Sequence, residues 1–97
     1  MRFSWDPTKS EVNLAARAFD FAFATLIFEG PTLQTTDDRK DYGEKRIVAV
    51  GSAQGVLLTL AYTDRRAVSG EIERRIISAR RSNRRERKAY REAVAKG

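Results

Sequence analysis

The chain contains no cysteine and no histidine. The first absence excludes disulfides, thiolate chemistry and most zinc sites. The second removes the side chain that most often exchanges protons near neutral pH. Proline occurs twice and tryptophan once. Apolar runs such as Val56-Leu57-Leu58 and Ala22-Phe23-Ala24 fall far short of the ~20 residues of a membrane span. The opening MRFSWDPTK lacks the apolar stretch of an export signal, so a cytoplasmic location and no membrane partner are expected. No metal-ligand constellation stands out and no cofactor is expected. Asp37, Asp38 and Asp41 share one loop without the glycine and terminal glutamate of a calcium loop, and Gly51 and Gly55 lack the Lys-Ser/Thr of a phosphate loop.

What remains is 97 residues, 41% apolar and 33% charged, enough for one domain spanning 1–97 with one modest core. The net charge of +6 is unevenly distributed. Met1 to Glu71 carries nine Lys/Arg against ten Asp/Glu, whereas Ile72 to Gly97 carries ten against three. Such asymmetry marks either a surface for nucleic acid or an acidic protein, or a solvated, salt-bridged helix.

The pattern predicts α-α-β-β-β-β-α. Asp6 followed by Pro7 is a helix start, with Val12, Ala15, Ala16 and Phe19 at helical spacing. Asp20 caps a second, short helix, FAFATLIF, which ends before Gly30-Pro31 and is apolar nearly all round. TLQTT reads as a short strand and DDRKDYGE as a polar loop. KRIVAVG and VLLTLAYT form a hairpin around Ser52-Ala53-Gln54-Gly55, with the second strand central in the sheet. EIERRIISA is a further strand. Asn83 and Glu86 form a capping box that opens a basic C-terminal helix with a late apolar stripe of Ala89, Tyr90, Ala93 and Val94. The fold class is α+β: a small antiparallel sheet with helices on one face.

Three stretches in order, FSWDPTKSEVN, YGEKRIVAVG and RIISARRSNRRERKAY, together resemble the BrnT family of type II toxins across nearly the whole chain. The resemblance implies a RelE-like fold and a ribonuclease that inhibits growth by cleaving RNA. It implies neutralisation by a BrnA-like antitoxin of the ribbon-helix-helix kind, with operator DNA reached only through that antitoxin. The family's Lys-His-Gly-like turn after the asparagine reads Ala16, Arg17 and Ala18 here. The alternative is therefore a catalytically degenerate module that binds RNA or its antitoxin.

Metal-independent RNA cleavage needs a group to accept the 2′-hydroxyl proton, charge stabilisation at phosphorus and a proton for the leaving 5′-oxygen. Arginine suits the second task, because its fork binds two phosphate oxygens and stays charged. Arg75 and Arg80 match arginines of the family motif and are the leading catalytic candidates. Strand alternation places residues five apart on opposite faces, so Arg80 is expected beyond the strand end, turned back. Glu44 is the candidate base; the alternative is a turn residue in a charged loop. Lys9, Asn13 and Arg17 recur every four residues on one helical face and are read as substrate-binding or as a surface stripe. Arg84 and Arg85 are candidate phosphate contacts. Tyr90 is read as either a stacking group or a core residue.

Overall fold

The computed structural model describes all residues, Met1–Gly97. Its elements are β1 (Arg2–Trp5), α1 (Pro7–Arg17), α2 (Phe21–Ala24) continued by a 3₁₀ turn (Thr25–Glu29), β2 (Thr32–Thr36), β3 (Ile47–Ala53), β4 (Val56–Arg66), β5 (Ile72–Arg81) and α3 (Arg84–Lys96). The α+β class, the two N-terminal helices and the C-terminal helix match the sequence reading. One strand goes beyond the sequence pattern. RFSW is too short to show a period, yet it joins the sheet edge as β1, parallel to β5, so the sheet is mixed rather than wholly antiparallel, in the order β1-β5-β4-β3-β2. VLLTLAYT forms the centre, as its two-sided apolar pattern requires. The β3–β4 turn tightens to Gln54 and Gly55, both with positive φ (49° and 84°), the geometry whose twist suits a two-residue hairpin.

The helices do not all lie on one face of the sheet, whereas the sequence pattern predicts that they do. Leu58, Leu60, Ala49, Ile76 and Ala79 point to one face, where Phe21, Ala24 and Ile27 of the α2 segment cover them. Burying Ile27, Leu58, Leu60 and Ile76 fully contributes about 1.5–3 kcal/mol each. Phe28 completes this face, stacked on Phe3 at 5.6 Å and edge-on to Tyr62 at 5.4 Å. Gly51 lets the 3₁₀ turn approach closely, since a Cβ there would lie 2.8 Å from Ile27 Cβ. The opposite face carries Val50 and Thr59, and α3 packs there, with Glu86 hydrogen-bonded to Thr59. Helices thus lie on both faces, with α3 anchored on this one by the buried Tyr90. No helix is long and apolar enough to cross a membrane.

Helix α1 also differs in which side it buries. Val12 is 61% exposed and Leu14 49%, whereas Ser10 and Asn13 are buried. Ser10 Oγ accepts from Phe21 N at 3.0 Å, and Asn13 Nδ2 donates to Phe19 O at 2.9 Å. The turn into α2 needs partners for its backbone polar groups, and α1 supplies them from its polar face. The chain reverses at Ala18, whose φ of 67° lies in the left-handed region.

Candidate active site

The geometry of β5 organises the site. Ala79 pairs with Leu60 and Ser78 with Ala61, but the next pair is Ile76 with Tyr62. Ile77 is an extra residue, a β-bulge. The bulge reverses the alternation, so Ile76 and Ala79 both face the core while Arg75, Ser78 and Arg80 share the other face. Arg80 is therefore within the strand, paired with Thr59, and does not lie beyond its end. The pairing of β1 with β5 stops at Trp5 and Ile76. From Ile77 onward the edge of β5 is open to α1.

Two adjoining clefts result. One, about 280 Å³, lies between α1 and β5 and is lined by Lys9, Asn13, Arg17, Ile77, Ser78 and Arg80, among others. The other, about 260 Å³, is lined by Lys9, Tyr42, Glu44, Arg46, Arg65 and Arg75, among others. Lys9 and Ile77 belong to both. Helical spacing on α1, the bulge in β5 and the 37–46 loop thus converge on one basic groove.

Ion pairing sorts its cations. Lys9, Arg17 and Arg75 have no carboxylate within 4.0 Å, and the Nη1 of Arg17 donates to Asn13 Oδ1 at 3.1 Å. Arg74, the sequence neighbour of Arg75, is built into the fold instead. It forms a double hydrogen bond to Asp64 (2.8 and 2.9 Å) and lies over the Tyr62 and Phe28 rings. Arg80 is gripped by Glu86 through Nη1 (2.7 Å) and Nη2 (2.8 Å). Glu86 is held at a pKa of about 2, first by the Arg80 guanidinium and further by the Asn83 N–H and Thr59 hydroxyl, against its partial burial.

Glu44 accepts from Arg46 Nε at 3.2 Å and lies 3.6 Å from Arg65. It faces the cleft beside Arg75 and Lys9. Arg46 in turn stacks on the Tyr42 ring, its guanidinium carbon 3.9 Å from the centroid. No three of the acidic side chains cluster as a metal-ion cage.

The remaining candidates fall elsewhere. Tyr90 is 8% exposed and donates its hydroxyl to Pro31 O at 3.0 Å, so it ties α3 to the start of β2 and does not reach the clefts. Asn13 lines the first cleft, but its buried amide is occupied at both ends by Phe19 O and Arg17. Arg84 and Arg85 form a separate basic patch with Asn83 and Lys88 at the start of α3. Glu86 and Thr59 were missed as members of the site. The capping box signals Glu86 as a helix cap, but nothing local joins it to Arg80.

Residues 5–86 match a family model described as "Ribonuclease toxin, BrnT, of type II toxin-antitoxin system". No curated protein matches the chain.

Proposed function

The chain belongs to the BrnT family of ribonuclease toxins of type II toxin–antitoxin systems, and from that premise we propose that it cleaves RNA in the groove shared by the two clefts. The observation that carries this reading is the convergence of Lys9, Arg17, Arg75 and Arg80 around Ile77, three of them without a carboxylate partner. The substrate phosphate is the missing anion. Glu44 accepts the 2′-hydroxyl proton, the 2′-oxygen attacks phosphorus, and the bond to the 5′-oxygen breaks. The products are a 2′,3′-cyclic phosphate and a 5′-hydroxyl whose proton comes from water. Arg75 and Arg80 stabilise the charge of the phosphorane, a kind of contact worth ~10²–10³ in rate. The reaction needs no metal, is cytoplasmic, and stops growth by removing RNA.

A BrnA-like ribbon-helix-helix antitoxin blocks the toxin by covering the same cations, and operator DNA is read by the antitoxin. The basic patch at Arg84 and Arg85 extends the footprint available to RNA or antitoxin. Arg17 in the cleft, in place of histidine, favours a second reading in which the groove binds RNA without cutting it.

End-labelled RNA incubated with purified chain in excess chelator distinguishes the two. Cyclic-phosphate products that are lost with Arg80→Ala, together with growth arrest relieved by the neighbouring gene product, are the expected results. Salt-sensitive binding without products would instead establish the binding module.

A further inference from the structure

Glu86 does more than cap α3. Its carboxylate accepts from Asn83 N (2.8 Å), Thr59 Oγ1 (3.0 Å) and both terminal nitrogens of Arg80. Thr59 also shares a 2.8 Å hydrogen bond with the buried Ser82 hydroxyl. Helix α3, β4 and β5 therefore meet on one carboxylate, which has little freedom to move.

The consequence lies in the donor inventory of Arg80. A guanidinium has five N–H groups. Glu86 takes one from Nη1 and one from Nη2, and Arg81 O takes the other from Nη1 at 3.3 Å. The Nε–H and the outer Nη2–H have no protein acceptor. They form the adjacent pair whose spacing matches two phosphate oxygens. In Arg74 that same pair is occupied by Asp64; in Arg80 it is open.

We propose that Glu86 is the positioning residue for Arg80, holding the guanidinium by its end so that the Nε/Nη2 fork stays presented to the RNA phosphate in the cleft with Lys9 and Arg17. This rests on the reading of the groove as the RNA site. The Glu86 carboxylate repels a bound phosphate and the phosphorane alike, so its contribution to catalysis lies in fixing the Arg80 donors and not in its charge. A fixed donor pair favours the more highly charged phosphorane, so Glu86 acts on kcat rather than on KM. Glu86 transfers no proton.

The test compares RNA cleavage by the wild type, Glu86→Gln, Arg80→Ala and the double variant, with affinity measured on a non-cleavable 2′-O-methyl oligonucleotide. Glutamine keeps the size but turns an amino group against Arg80. Glu86→Gln is expected to lower kcat on the order of tenfold or more, less than the ~10²–10³ for losing a donor outright. Neither KM nor oligonucleotide affinity should weaken. In the Arg80→Ala background the same change should have almost no effect on kcat. Glu86→Asp, which retains both acceptor oxygens, should recover part of the loss and serves if the glutamine variant folds poorly. A wild-type kcat in folded Glu86→Gln, or an equal loss with and without Arg80, overturns the proposal and leaves Glu86 a cap. A wild type that neither cleaves RNA nor binds the oligonucleotide overturns the RNA reading and this inference together.

Discussion

Arg75 and Arg80 project from the same face of the sheet although they stand five residues apart in one strand, because Ile77 has no partner on β4. Arg74 and Arg75, adjacent in sequence, consequently have different fates. Arg74→Ala removes a double hydrogen bond and two aromatic contacts. It should lower stability by about 1–2 kcal/mol and leave kcat nearly intact. Arg75→Ala should leave the melting temperature unchanged and reduce RNA cleavage ~10²-fold or more. Thermal melts and cleavage assays on the two variants separate these outcomes; matching profiles would contradict the assignment.

Acid should weaken the fold partly through Glu86. Its carboxyl titrates near 4.5 when unperturbed and at about 2 in the folded chain. A folded value below the unfolded one means stability that is present above about pH 4.5 and lost as pH falls toward 2. The exposure of Arg80 screens the pair, leaving about 1–2 kcal/mol. Asp37, also held at about 2 by Arg39, titrates in the same window. Denaturant unfolding of wild type and Glu86→Gln across that range isolates the Glu86 share. The wild type should lose the greater stability, and parallel curves would count against the pair.

Ala18 occupies a left-handed conformation at the end of α1. A Cβ costs roughly 1–2 kcal/mol there, whereas glycine adopts the conformation freely. Ala18→Gly should therefore stabilise the chain by about 1 kcal/mol, or about 4–8 °C in melting temperature. A lower melting temperature would show that the turn is not strained.

Tyr90→Phe keeps the ring and loses the hydroxyl that donates to Pro31 O. The expected result is a loss of about 0.5–1.5 kcal/mol with unchanged cleavage and RNA affinity. An impaired cleavage rate at unchanged stability would return Tyr90 to the substrate site.

Much of the fold was legible because its signals are local. Asp6-Pro7, Asp20 and the Asn83/Glu86 box mark three helix starts through hydrogen bonds to backbone only two or three residues away. The β-branched runs mark β3, β4 and β5. β1 was not legible, since four residues carry no period and their parallel partner lies some seventy positions away. The apolar spacing in α1 misled for a related reason: the turn at Phe19–Phe21 takes its hydrogen bonds from Ser10 and Asn13, drawing the polar face inward.

By itself the sequence determined which chemistry is available: many arginines, no histidine or cysteine, and a positive charge gathered in its last quarter. It also placed Lys9, Asn13 and Arg17 along one helix face, because a helix fixes its own period. Only the tertiary structure decided which cations are open and which are tied into the fold. Arg74 meets Asp64, Arg80 meets Glu86, and Arg75 meets no carboxylate, through pairings between separate elements. The bulge at Ile77 decided the rest: one unpaired residue reverses every later side chain of a strand, and it is recognised only against the strand beside it.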